Sequence, residues 1–231
     1  MLEPGTRCVV FDIDDTLYLE VDYVRSGFVA VDRWAQRHLG GAPLGAAAQA
    51  CFDRGARGDV FDRALGDCGL APDPALVRRL VEVYRSHPPA IALLPDAARA
   101  LGGLRGRVAL AVVSDGPLAS QRAKAEALAL RGWADPLVLT GELGPGAGKP
   151  SPAGFQAVER ATGTAATACV YVADNPTKDF AGPKSRGWAT IRVRRPGSLH
   201  EAVDSGPDVD VELADLEALA AVAAATSDGP P

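Results

Sequence analysis

Asp12 and Asp14 stand one residue apart at the end of an apolar run, in the segment Cys8-Val9-Val10-Phe11-Asp12-Ile13-Asp14-Asp15-Thr16-Leu17. Side chains alternate along a strand with period two, so both carboxylates leave on one side as the strand gives way to a loop. Two like charges held that close are costly unless a cation offsets them. The run contains no Arg or Lys. A divalent metal and a phosphate-handling reaction would account for the pair, since Mg²⁺ prefers hard oxygen ligands. Three later clusters carry groups suited to the same chemistry: Ser114-Asp115-Gly116, Gly148-Lys149-Pro150, and Asp174-Asn175-Pro176-Thr177-Lys178-Asp179. The four clusters together supply carboxylates, hydroxyls, ammonium groups and several loop amides. A carboxylate nucleophile, a second carboxylate as acid and base, a cation and hydroxyl on the transferring oxygens, and distal acids for a metal make a phosphoryl-transfer site.

Each cluster needs an element to aim it, and each follows an apolar stretch that reads as a strand. The first strand ends at Phe11, and others are expected over 108–113, 136–140 and 168–173, with further strands over 188–193 and 209–211. Helical patterns fill the gaps at 95–104, 118–131, 151–161 (Ser151 as N-cap, Pro152 at the first helical position), 178–187 and 213–225. This alternation predicts an α/β fold, a doubly wound parallel sheet. In such sheets functional residues collect outside the carboxyl ends of the strands. From Tyr18 to Pro89 there is no strand signal. Val21, Val24, Phe28, Val31 and Trp34 share one helical stripe, a second helical stretch over 45–65 is interrupted near Gly55 and Gly58, and a third covers 73–87. The spacing therefore predicts a core made of residues 1–16 and 95–231, with a small all-helical domain, 17–94, inserted into it. The tail Ser227 to Pro231 reads as disordered.

Composition narrows the partners. A formal net charge of −5 argues against a nucleic-acid partner, which usually requires a basic face. No apolar run reaches bilayer length without charge and the N-terminus lacks a leader pattern, so a cytoplasmic location is expected, with no membrane partner. Cys8, Cys51, Cys68 and Cys169 are scattered without a Cys-x-x-Cys pair and read as buried apolar residues. The chain has only four lysines, Lys124, Lys149, Lys178 and Lys184, against 24 basic residues. Where Arg is the default cation, each Lys draws attention, because the two differ in shape and donor geometry.

The four clusters, in this order and at strand ends, resemble the haloacid dehalogenase (HAD) superfamily. The first looks like its motif 1, Val113-Ser114-Asp115-Gly116 like motif 2, Gly148-Lys149-Pro150 like motif 3, and Asp174 to Asp179 like motif 4. The resemblance implies a Rossmann-like core and makes the helical insert a C1-type cap. It implies a phosphatase acting on a small phosphorylated metabolite, in which Asp12 is the nucleophile that becomes an aspartyl-phosphate. Asp14 would protonate the leaving oxygen and later take a proton from water. Ser114 and Lys149 would bind phosphoryl oxygens. Mg²⁺ would be held by the Asp12 carboxylate, the Asp14 carbonyl and the Asp174 carboxylate, while Asp179 would orient Lys149 or a water on the metal, with Asn175 beside it. Thr16 would steady the loop by hydrogen bonding, or stand there as a plain turn residue. Asp15, Asp115 and Gly116 are expected around the substrate. In and near the insert, Tyr18, Glu20, Tyr23 and Arg25 could close over it, and Arg54 and Arg57 could contact it, although both arginines also fit a solvated surface.

Asp two residues after the nucleophile is the pattern of the family's phosphatases and phosphomutases; members that cleave carbon–halogen bonds lack it. A leaving alkoxide needs a proton and a halide does not. Phosphomutase is the nearest alternative, and a phospho-acceptor signalling domain a remote one, with Asp115 as the candidate acceptor. A phosphate-loop reading of Leu143 to Pro150 fails because Leu143 occupies the first Gly position and Pro150 replaces Ser/Thr.

Overall fold

The computed structural model describes residues 2–225; the tail from Ser227 lies outside them. The chain divides into two units, Met1–Glu20 together with the chain from Ala92 onward, and Val21–Ile91 between them.

The inserted unit is all-helical: α1 (Glu20–His38), α2 (Leu44–Asp53), α3 (Val60–Asp67) and α4 (Pro74–Ser86). Gly55 and Gly58, at φ 90° and 80°, make the turn between α2 and α3 that breaks the 45–65 pattern in two. Asp73 caps α4 by accepting from the Ala75 and Leu76 amides at 2.8 and 3.0 Å. The buried face of α1 is Tyr23, Val24, Gly27, Phe28, Val31 and Ala35. Phe28 meets Phe52, Phe61 and Tyr84 with ring centroids 5.8–6.1 Å apart. Trp34, expected on the same stripe, is only half-buried and stacks on His38, because the stripe drifts to Ala35 at this turn.

The first unit is built on a six-stranded sheet of order β3-β2-β1-β4-β5-β6, parallel throughout. Its strands are β1 (Cys8–Phe11), β2 (Ala109–Ser114), β3 (Leu137–Leu139), β4 (Cys169–Ala173), β5 (Ala189–Val193) and β6 (Val211–Leu213). Full burial of β1 and β4 explains why they read as unbroken apolar runs rather than alternating ones. The helices are α5 (Pro95–Leu104), α6 (Leu118–Ala127), α7 (Ala153–Thr162), α8 (Ala181–Lys184) and α9 (Glu217–Ala225). Phe155 of α7 packs edge-on to Tyr171 and Trp188 in a core that also holds Cys8, Cys169 and Phe180. Cys51 is buried as well, whereas Cys68 is half-exposed; all four cysteines are free thiols.

Several boundaries differ from those the sequence suggests. Ser151 Oγ accepts from the Ala153 amide at 3.4 Å, a long bond at the start of α7, while the Ser151 amide closes a turn onto Gly148 O at 3.0 Å and the helix begins beyond Pro152. The helix expected over 178–187 shrinks to the single turn α8. Residues 175–179 are held as a loop by Asn175 Oδ1, which accepts from the Thr177 amide, and by Asp179 Oδ2, which accepts from the Asn175 amide, each at 3.0 Å. α6 stops at Ala127, and Ala129 at φ 50° turns the chain into a 3₁₀ turn at Leu130–Gly132. β6 begins two residues later than expected. α9 starts at Glu217, whose amide donates to Asp215 Oδ1 at 2.9 Å.

The strand order reverses between β1 and β4, which pair in register with Phe11 opposite Val172. The residues that follow these strands, Asp12 and Asp174, are thereby brought side by side at the switch point where α/β sheets bind ligands.

Candidate active site

Lys149 is the hub. Its Nζ lies 2.7 Å from Asp12 Oδ1, 2.7 Å from Asp179 Oδ1 and 2.9 Å from the Tyr171 hydroxyl, all four residues being buried. Tyr171 in turn donates to Val113 O at 3.3 Å, so the ammonium is fixed from the sheet beneath it. Burial opposes the charge on Lys149, but Asp12 and Asp179 overcome it and hold the ammonium well above its ordinary pKa. Burial likewise pushes Asp12 up to about 6 against the pull of Lys149. The loop that delivers Lys149 leans on Asp115. A side chain at Gly148 would place its Cβ 2.7 Å from Asp115 Oδ1, the same oxygen that accepts from Thr140 Oγ1 at 2.7 Å. Asp115 therefore braces the loop, and Gly116, at φ 127°, turns the chain after β2.

Asp12, Asp174 and Asp179 each offer a carboxylate oxygen within 4.8 Å of the others, all from buried residues. Asp174 Oδ2 is buried without a hydrogen-bond partner among the described residues. Burial, with Asp179 and Asp12 beside it, pushes the Asp174 carboxyl up to about 10. An orphaned oxygen in an all-oxygen, acidic cluster fits a hard divalent cation of the Mg²⁺ type. Ser114 Oγ is also buried with no partner among the described residues, leaving a hydroxyl at the end of β2 with unused hydrogen-bonding capacity.

The Asp14 carboxylate is held elsewhere. Both of its oxygens lie 2.7 Å from Lys124 Nζ, and Oδ1 also accepts from the Tyr18 hydroxyl. Burial pushes Asp14 up, yet Lys124 and Tyr18 together hold it below the usual carboxylate range. Asp15, at φ 49°, has both oxygens committed, accepting from the Glu20 and Leu199 amides at 2.7 Å each. It pins the loop rather than facing a substrate. Glu20 sits close enough to Asp14 that burial and that charge push its carboxyl up to about 8.

Thr16 steadies the loop in a different way from the one expected. Its hydroxyl is buried with no partner among the described residues, while its carbonyl accepts from Arg195 Nε and Nη2 at 3.1 and 2.8 Å. Arg195 also pairs with Asp96 at 2.7 Å. Arg192 ties the other side, donating to Asp174 O at 3.0 Å and to His200 O at 2.8 Å. Asn175 serves structure too: besides its loop bonds, its Nδ2 lies 2.9 Å from His200 Nε2. Replacing Arg195 with Met removes the cation beside Asp96, which keeps the Leu216 amide on Oδ2 at 2.8 Å, and frees the Thr16 carbonyl, so a loss of about 3 kcal/mol is expected in urea unfolding, with a change under ~1 kcal/mol counting against this brace.

Of the residues expected around the substrate from the insert, each is engaged within the helical unit. Tyr23 is buried against Tyr84 and His87, with ring centroids at 5.6 and 4.8 Å. Arg25 pairs with Asp22 at 3.4 Å and Arg54 with Asp67 at 2.8 Å, both on the surface. Arg57 donates to the Phe52 and Ala56 carbonyls and lies over the Phe52 ring at 3.8 Å. Sequence reading missed Lys124, Tyr171, Gln121, Arg192 and Arg195. For Lys124 the signal was present in the scarcity of lysine; three of the chain's four lysines, Lys124, Lys149 and Lys178, act electrostatically on Asp12 or Asp14.

Comparison with known proteins identifies relatives of the chain. A family model for hydrolases, described as haloacid dehalogenase-like hydrolase, matches residues 6–187. A glyceraldehyde 3-phosphate phosphatase of Methanopyrus kandleri is 29% identical over 222 residues, covering 91% of this chain and 92% of that protein. Among solved structures, the HAD-hydrolase YfnB of Bacillus subtilis, bound to magnesium, superimposes with a TM-score of 0.67 at 20% identity, covering 94% of this chain and 98% of that one. The L-2-haloacid dehalogenase of Xanthobacter autotrophicus gives a TM-score of 0.59 at 21% identity, with 94% and 97% covered.

Proposed function

Starting from the fact that the chain belongs to the haloacid dehalogenase-like hydrolase family, we propose that it is a Mg²⁺-dependent phosphatase of a small phosphorylated metabolite, acting through an aspartyl-phosphate on Asp12. The observation that carries this reading is Asp14, a second carboxylate two residues from Asp12 and held in place by Lys124 and Tyr18. A phosphate ester expels an alkoxide that must be protonated, whereas a haloacid expels a halide that needs no acid. The Methanopyrus relative places triose phosphates among the substrates to test first. In this reading residues 17–94 are the helical cap domain of the family's C1 type, and the enzyme works in the cytoplasm.

Asp12 attacks phosphorus in line, forming a carboxylate oxygen–phosphorus bond while the bond to the leaving oxygen breaks. The electron pair stays on that oxygen, which takes a proton from Asp14; Asp14, ionised before substrate binds, has first drawn that proton from the phosphate monoester. Ser114 and Lys149 hold the phosphoryl oxygens, and Lys149 offsets the charge that would repel the nucleophile. Asp14 then removes a proton from water, which attacks phosphorus, releasing inorganic phosphate and restoring Asp12. Asp12, the Asp14 carbonyl and Asp174 would hold Mg²⁺, which would supply positive charge to offset that of the phosphoryl group. Asp179 keeps Lys149 in position.

Hydrolysis of p-nitrophenyl phosphate should stop on exhaustive chelation and return with Mg²⁺; activity that survives chelation contradicts the proposal. A stability effect accompanies the metal. Without a cation, Asp174 (about 10) and Asp12 (about 6) keep protons in the folded state that the unfolded chain has released above about pH 4. The folded state then binds more protons than the unfolded one, so these groups lower stability as pH rises through that window. Mg²⁺ takes the place of the protons. The Mg²⁺-induced rise in Tm should therefore be larger at pH 8 than at pH 5, and equal shifts at the two pH values would refute this.

A further inference from the structure

Gln121 and Lys124 lie three residues apart on one face of α6, and both are buried. Gln121 Nε2 donates to the Ser114 carbonyl and its Oε1 accepts from the Gly141 amide at 3.4 Å, which fixes the helix against the end of β2. One turn along, Lys124 reaches both oxygens of Asp14, with only 8% of the lysine side chain and 20% of the Asp14 side chain exposed. A buried ammonium is retained only where a carboxylate offsets its desolvation. Tyr18 approaches the same carboxylate from the loop; burial pushes its phenol far above the ordinary value, so it stays a neutral donor. Asp14 is thus clamped from two independent elements, one of them anchored to Ser114.

We infer that Lys124 is a positioning residue for the reaction: it fixes the Asp14 carboxyl in the orientation from which the leaving oxygen is protonated, an inference that rests on the acid–base role given to Asp14 above. A carboxylate on a loop with one-fifth of its side chain exposed has other rotamers open to it, and the two contacts of Lys124 remove them. An ammonium suits this task because a single point charge satisfies both oxygens, whereas a planar guanidinium demands a fork geometry.

The effect should depend on the leaving group. In kcat/KM, which reports formation of the aspartyl-phosphate, an alkyl phosphate needs the proton and an aryl phosphate with an acidic phenol hardly does. The alkyl probe is the most active member of a panel of sugar and glycerol phosphates, and the aryl probe is p-nitrophenyl phosphate. Asp14→Asn should cost roughly 10²- to 10⁴-fold on the alkyl phosphate and less than about tenfold on the aryl one. Lys124→Met should show the same selectivity, with a loss at least about tenfold greater on the alkyl phosphate, and the double variant should be no worse than Asp14→Asn alone. Lys124→Arg should recover part of the alkyl activity. Lys124→Gln, which keeps a donor without burying a new apolar group, gives the same comparison if the Met variant does not fold. Equal losses on both substrates, or a rise in KM alone, with Asp14→Asn still selective, would overturn the assignment of Lys124. A non-selective Asp14→Asn would overturn the acid–base reading itself, and the inference with it.

Discussion

Asp12→Asn is expected to abolish turnover, lowering kcat by roughly 10⁴-fold or more, while the protein stays folded. Asn keeps the shape of Asp but has no anionic oxygen to attack phosphorus. Losing this charge is tolerable for the fold, because Lys149 retains Asp179 at 2.7 Å and Tyr171 at 2.9 Å. The variant also loses the like-charge repulsion that Asp179 and Asp14 exert on Asp12. Steady-state hydrolysis of p-nitrophenyl phosphate, read beside Tm, checks both halves. A variant that keeps wild-type rate contradicts the nucleophile assignment, and one that unfolds contradicts the electrostatic argument.

Lys149→Met has the opposite balance: it damages fold and activity together. Removing the ammonium leaves Asp12 and Asp179 as buried acids next to Asp174, with no other ion pair to either among the described residues. Breaking a buried pair from one side typically costs about 3–5 kcal/mol, and here one lysine serves two carboxylates. The loss should therefore lie at the upper end of that range in denaturant titration at neutral pH. It should shrink at acid pH, where Asp12, which burial already pushes up, takes up a proton and no longer carries buried charge. Saturating Mg²⁺ should recover stability but not activity, since the phosphoryl oxygens have still lost their ammonium. A stability change under ~1 kcal/mol would show that Lys149 does not hold the acids together.

The chemistry was legible because this fold gathers its functional groups at strand ends, and the strands are short apolar runs that stop at polar residues. Asp12, Ser114 and Asp174 could be placed from this alone, since each directly follows or ends a buried strand. Lys149 was legible as a loop residue, but its partner Tyr171 was not: a tyrosine inside β4 reads as one more β-forming residue until its hydroxyl is seen on the lysine. Lys124 drew attention only through the scarcity of lysine; its partner did not show, because Asp14 lies 110 positions away and the two meet only in the fold. Asp15 and Asn175 sit within the motifs yet are spent on backbone amides, a distinction that spacing does not carry. Thr16 shows the limit most plainly. The loop is steadied at that residue, but through a main-chain carbonyl gripped by Arg195, 179 positions away. The helix expected over 178–187 failed where side chains capture the backbone over 175–179, because helix propensity there loses to the turn that delivers Asp179.

The central claim is that the phosphoryl group passes through Asp12. Rapid acid quench of the Mg²⁺-loaded enzyme during turnover, followed by peptide mass spectrometry, tests it most directly. A phosphoryl adduct on the peptide containing Asp12, absent from the Asp12→Asn variant, is the predicted result. An adduct on Asp115 instead, or one that persists in Asp12→Asn, would contradict it.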